Sequence, residues 1–268
     1  RKGPDGPAVA ADRAADTDLP VSVDEAIEAR IAGLESEERE LLEKAAVFGN
    51  VFWISAVIAL TRLEKERHDV DPLDLEWGHG EDVRRRVSDL ISVLADRDYV
   101  LMLDTDDSSV PGDVEVVFKH NLERELIVKA TEPRKLQRYY LAAAQWLESK
   151  LSNLRDEQLE FLANLYERGG DARRAARCYL RGGDRARARY SPDEARSLYE
   201  KGLAMLGEAD APARLDGLHN LGDVLEQSGK ADEAAQCFTD MLQLAWRYDS
   251  LNKAGAAYSR LGRGQRRL

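Results

Sequence analysis

The residues with the greatest capacity for chemistry in this chain are arginines. Arg173, Arg174, Arg177, Arg181, Arg185, Arg187 and Arg189 fall within 17 residues. Guanidinium groups grip carboxylates and phosphates through paired N–H donors, so Arg173, Arg177 and Arg181 are candidate contacts for an acidic peptide or a nucleotide-binding partner. On helices the seven spread over more than one face, and Asp171, Asp184, Asp193 and Glu194 lie near enough to pair with some of them. A solvated repeat surface is the plain alternative. Other groups offer less. Glu37 and Glu38 are neighbours and point apart on a helix, which gives no general acid–base pair. His68, His79 and His219 share no ligand spacing with one another or with Cys178 and Cys237, so no metal is expected. Nothing matches Gly-x4-Gly-Lys-Ser/Thr, and without that phosphate cradle the chain is expected not to hydrolyse ATP and not to be an enzyme.

The elements that must position these residues are mostly helical. A length of 268 residues suggests two units, and 43% hydrophobic with 33% charged residues and only 8 Pro describes a folded, helix-rich chain. The net charge of -11 argues against a general nucleic-acid binder. No apolar run approaches the roughly 20 residues a membrane helix needs. Two cysteines, each inside a helical pattern, form no disulfide framework, so a reducing, cytoplasmic compartment is expected. Arg1 in first place, and a repeat that has only begun at Leu261 to Leu268, lead to the expectation of a piece of a longer protein.

Residues 1–20 are rich in Ala, Asp, Gly and Pro and read as linker. Ser22 with Glu25 forms a capping box ahead of Ile27, Ile31 and Leu34, and Ser36 is placed as the cap of a second helix over Leu41, Leu42, Ala45 and Ala46. A third helix is expected over Trp53, Ala56, Val57 and Leu60, then a polar loop from about Glu66 to Gly80, then a fourth helix over Val83, Val87, Leu90, Ile91 and Leu94. Tyr99 to Leu103 and Val114 to Phe118 read as a β-hairpin with a long tip. Helices followed by such a hairpin give a winged-helix-like module over 21–125. Connecting helices follow over 126–155, with Thr131 as a cap and Pro133 in a first turn. From 156 to 268, Leu162, Ala163, Tyr166, Gly170, Ala175 and Tyr179 recur in type at Leu221, Gly222, Leu225, Gly229, Ala234 and Phe238, which suggests a tetratricopeptide-like solenoid with a period of about 40 residues, truncated at its C-terminus. The fold class is therefore mainly α, with one small β-hairpin. Tyr166, Asn220 and Asp223 on first helices are expected to line a concave partner-binding face, and Trp146 and Trp246 to anchor helix packing.

The segments Ala29 to Leu34, Leu41 to Gly49, Val117 to Leu122, Arg138 to Leu147, Ala175 to Leu180 and Glu194 to Tyr199, in that order, resemble the region that follows the nucleotide-binding module of STAND-type signalling ATPases. These include bacterial regulators of the MalT type, NB-ARC proteins and kinase- or cyclase-linked relatives. The resemblance implies an upstream NTPase module in cis, ATP or ADP bound by the parent protein, and a protein or small-molecule effector received on the repeats. It also implies that His120, at the junction of the second wing strand and the next helix, occupies the place of a histidine that senses the β-phosphate of ADP. Lys119 and Asn121 flank it where that motif usually differs. The function expected is regulatory: coupling of effector binding to the NTPase. A second reading makes the winged helix a DNA reader through Arg84, Arg85 and Arg86, though Glu81, Asp82, Asp89 and the wing's Asp104, Asp106 and Asp107 would face phosphate. A third is a scaffold without nucleotide control.

Overall fold

The computed structural model describes residues 22–68, 79–103, 108–110, 112–150, 156–207 and 210–264. The expected linker, most of the loop at Glu66 to Gly80 and the aspartates of the wing tip lie outside the described residues. Among the described residues the chain is mainly helical with one three-stranded sheet.

The first part runs α1 (Val23–Ala32), α2 (Ser36–Ala46), β1 (Val51–Trp53), α3 (Ile54–His68), α4 (His79–Asp96), β2 (Val100–Met102), β3 (Glu115–Phe118) and α5 (Asn121–Ala130). Ser22 and Glu25 make the reciprocal capping box the spacing predicts. Ser36 does not cap α2. It is the first helical residue, and the backbone N–H of Glu35 donates to Glu38 Oε2 at 2.9 Å. Trp53 likewise lies on a strand and not in the third helix, which makes the sheet three-stranded. β1 pairs antiparallel with β3, Trp53 opposite Glu115, and the sheet order is β1-β3-β2. Three residues are too few to display a period of two, and what holds them is the ladder, together with an indole N–H donating to Glu115 Oε1 at 3.1 Å. α4 carries an apolar stripe of Val83, Val87, Ile91 and Leu94, all buried, and two residues past its end Asp98 takes φ 63°.

α6 (Pro133–Lys150) then returns over the first part. Thr131 closes α5 by donating back to the Ile127 carbonyl, while the Glu132 carboxylate accepts from the N–H groups of Arg134 and Lys135 and so caps α6. Capping needs a side chain that reaches forward, and the Thr131 hydroxyl is already committed backward. Trp146 packs on Phe48 at 5.6 Å and on Trp53 at 5.4 Å between ring centres, and all three are buried. Lys135 bonds Glu43 at 2.7 Å. The aromatic cluster makes α6 part of the same core as α2, β1 and α3.

The remaining helices are α7 (Asp156–Arg168), α8 (Ala172–Ala188), α9 (Pro192–Met205), α10 (Ala211–Gln227), α11 (Ala231–Arg247) and α12 (Leu251–Gly264). Each packs on its predecessor. Four connections have one geometry. Gly170, Tyr190, Gly229 and Asp249 all take positive φ, and each is followed by a backbone N–H that reaches five residues back, Asp171 to Tyr166, Ser191 to Ala186, Lys230 to Leu225 and Ser250 to Ala245. A buried alanine stands five residues beyond each positive-φ position, Ala175, Ala195, Ala234 and Ala254.

The expected period of about 40 residues recurs from each helix to the next but one: α8 to α10 and α9 to α11 are 39 residues apart (211 − 172 and 231 − 192), and α10 to α12 are 40 (251 − 211). α8 (172–188) maps onto α11 (231–247) and α9 (192–205) onto α12 (251–264), in both cases at an offset of 59 (231 − 172 and 251 − 192). Alongside that period, the offset of 59 groups three helices at a time, α7–α8–α9 beside α10–α11–α12. Small residues permit the close crossings. A Cβ at Gly183 would lie 2.8 Å from the Tyr199 ring, and one at Gly222 would lie 2.6 Å from the Phe238 ring.

Candidate functional site

The helical array buries tyrosine rings and brings their hydroxyls out to carboxylates. Tyr166 donates to Glu148 Oε2 at 2.5 Å, Tyr179 to Glu167 Oε2 at 2.8 Å and Tyr199 to Asp184 Oδ1 at 2.7 Å. Burial, and after it the partner carboxylate, raises all three phenols above their ordinary range, so they remain protonated donors. Tyr166 is thus not a partner contact: it is fully buried, and what reaches the surface beside it is Glu148 with the Arg174 guanidinium, which donates to the Tyr166 hydroxyl at 3.3 Å.

Asn220 and Asp223 sit where the two units meet. Asn220 Nδ2 donates to Asp184 Oδ1 at 2.9 Å and its Oδ1 accepts from Arg187 Nη1 at 3.2 Å. Asp223 takes Arg260 of α12 at 2.7 Å, with Arg187 at 3.9 Å and His219 at 3.7 Å. Their polarity, which marked them as contacts in the sequence, is consumed in joining α8, α10 and α12. Burial lowers the His219 imidazole below its ordinary value; Asp223 opposes that, and Arg260, Lys253 and Arg187 add to it.

Arg173 and Arg177 converge on Asp210, a buried carboxylate just before α10. Their side chains remain 60% and 56% exposed, so each keeps donors for another acceptor. Arg181, two turns beyond Arg173 on the same face of α8, is exposed. Trp146 is a packing anchor, but Trp246 is 51% exposed at the end of α11.

His120 is exposed and is the N-cap residue of α5, but its side chain makes no capping bond. Around it stand Lys119, paired with Asp98, and Arg30, whose guanidinium lies 4.5 Å over the Tyr99 ring and 3.2 Å from Glu123. Glu123 is the feature that sequence reasoning missed. It reads as an ordinary acid in a first helical turn, yet it is 1% exposed and neither carboxylate oxygen has a hydrogen bond. Burial raises its carboxyl above the usual range, against the opposing fields of Arg30 and His120.

Among the described residues no three of His, Cys, Asp or Glu converge as a metal ion would require. Nor is any helix there long and apolar enough to cross a membrane. No family model matches this chain, and no curated protein matches it significantly.

Proposed function

We propose that this chain is a non-catalytic regulatory and protein-interaction segment, in which a winged-helix-like module is joined to a tetratricopeptide-like array and works beside an NTPase of the STAND type. The observation that carries the reading is the joint. Phe48, Trp53 and Trp146 weld α6 to the first module, and α6 packs directly on α7. A partner that favours one arrangement of the helices therefore acts on a continuous packed path to the sheet and to His120. Coupling of this kind is typically worth roughly 1–3 kcal/mol. The helix order and the β1-β3-β2 sheet suit a winged helix, and helices stacked in order, each on its neighbour, suit a tetratricopeptide-like solenoid.

His120 supports the nucleotide-linked part of the reading because its imidazole is exposed and uncommitted to its own helix. When ADP or ATP is bound by the NTPase in cis, this side chain donates a hydrogen bond toward phosphate. A reducing cytoplasmic setting fits two free cysteines whose thiols burial pushes up to about 11. The DNA-reading alternative draws less support, since Arg86 on α4 is held by Glu37.

The test is ADP retention by the full-length protein with and without His120→Ala. Loss of ADP about tenfold faster in the variant, one hydrogen bond to a charged group, supports the switch. Unchanged retention leaves a scaffold without nucleotide control.

A further inference from the structure

Side chains of α8, α10 and α12 bond from one helix to the next but one at a nearly constant spacing. Asp184 meets Asn220 at 36 residues, and Asp216 meets Lys253 and Asp223 meets Arg260 at 37. The Arg173 guanidinium reaches Asp210, just ahead of α10, also at 37. Each of these rungs sets a cation or an amide against a carboxylate.

The rung of Arg181 lacks its acid. At a spacing of 36 it faces Gly217 (217 − 181), where a Cβ would lie 2.9 Å from Leu203 and 3.1 Å from Leu180, so the packing of α10 leaves no room for a side chain. Opposite Arg177, at 36 and 37, stand Ala213 and Arg214, and the Arg214 guanidinium donates to the Leu206 carbonyl. Asp210 answers Arg173 at 2.5 Å and Arg177 at 3.9 Å. Asp184, one turn beyond Arg181, accepts from Tyr199 and Asn220. Arg181 is exposed and has no hydrogen bond or ion pair among the described residues. The row Arg173, Arg177 and Arg181 thus holds guanidinium donors that the fold does not use.

Four residues separate successive members of the row, which sets them about 6 Å apart along the helix axis. Alternate side chains of an extended strand stand on one side about 6.6–6.8 Å apart. We infer that this face of α8 binds an extended, acidic segment of a partner protein, whose alternate Asp or Glu side chains dock on Arg177 and Arg181 and supply the acid that Gly217 cannot. The inference deepens the proposed function and rests on its reading of the helical array as the partner-binding part. A guanidinium fork matches a carboxylate with two parallel N–H donors. Recognition is local, because the chain's formal net charge of -11 repels an acidic segment from a distance and that field fades beyond about 8 Å at physiological salt. A nucleic-acid backbone needs a broader basic surface than one row flanked by the exposed carboxylates of Asp184 and Asp216.

The experiment titrates the intact chain with a short fluorescein-labelled peptide of alternating glutamate and serine, and with the same peptide carrying glutamine for glutamate, at physiological ionic strength, reading polarisation. The glutamate peptide binds and the glutamine peptide does not. Arg181→Gln weakens binding about tenfold, the loss of roughly one favourable ion pair, and leaves the thermal midpoint in place because that side chain bonds nothing in the fold. Arg181→Lys keeps the charge but loses the fork, and weakens binding by a smaller factor. Arg85→Gln, exposed on α4, removes the same charge and leaves the affinity nearly unchanged. Equal losses in Arg85→Gln and Arg181→Gln would mean attraction by overall charge and would overturn the site, as would no binding to the wild type. A single-stranded oligonucleotide that displaces the peptide, and itself loses affinity in Arg181→Gln, would assign the row to phosphate backbones and overturn the protein partner. The titration holds no nucleotide and His120→Ala leaves it unchanged, so its failure and that of the ADP-retention test are distinguishable.

Discussion

The two three-helix units share a backbone plan and finish it differently. Tyr199 in α9 and Tyr258 in α12 stand at the same place in their units, and one is fully buried while the other is 56% exposed. The first lies against Gly183, donates to Asp184, and is overlaid by α10. In the second the residue at that glycine's place is Leu242, and the described helices packed on α12 leave the Tyr258 ring more than half exposed. An aromatic residue at a fixed position in a repeat is therefore a core residue only when a small residue beneath and a helix above make it one.

Replacing the same side chain in both units tests this most severely. Tyr199→Ala should cost about 3–5 kcal/mol, as deletion of a fully buried aromatic does, whereas Tyr258→Ala should cost less than about 1 kcal/mol. Urea midpoints of the two variants measure it, and similar losses would break the distinction. Gly183→Leu, which imports the second unit's residue, puts a Cβ 2.8 Å from the Tyr199 ring. It should destabilise by about 1–3 kcal/mol through overpacking, the gain in helix propensity notwithstanding. Near-ultraviolet circular dichroism should report the displaced ring.

Much of this plan is legible in the sequence, and the gaps have physical causes. The recurrence of Leu162, Tyr166, Gly170, Ala175 and Tyr179 at Leu221, Leu225, Gly229, Ala234 and Phe238 correctly pairs α7–α8 with α10–α11. Ala195, Tyr199 and Gly202 mark α9 as a helix of a further hairpin, but the turns before α9 and α12 give no signal of their own, because Tyr190 and Asp249 take a left-handed conformation that sequence signals assign to glycine. β1 escapes because three residues carry no period. The arginine run is legible as a residue type, but its fate depends on Asp210, which lies 37 positions beyond Arg173 and is brought in by the fold.

Two smaller differences sharpen the comparison. The Asp171 carboxylate caps α8 by accepting from Arg174 N at 3.0 Å, and its counterpart Lys230 makes no such bond to α11. Asp171→Ala should lose about 1 kcal/mol and Lys230→Asp should gain up to a similar amount, both read as shifts in thermal midpoint.

The smallest effect concerns pH. The second unit has His219 where the first has Glu160. The folded imidazole is held below its ordinary value near 6.5, by burial first and then by Arg260, Lys253 and Arg187, with Asp223 opposing. The unfolded chain therefore binds a proton at a higher pH than the folded chain. Between the lowered value and about 6.5 the unfolded state holds more protons, so stability falls as pH falls through that window and the lost part, below about 1 kcal/mol, returns above it. Amide exchange at pH 7.5 and 5.5, corrected for intrinsic rates, should show α10–α12 losing protection relative to α7–α9 on acidification. His219→Gln should remove the difference. Acid-side loss spread evenly over both units, and kept in His219→Gln, would instead detach the effect from His219.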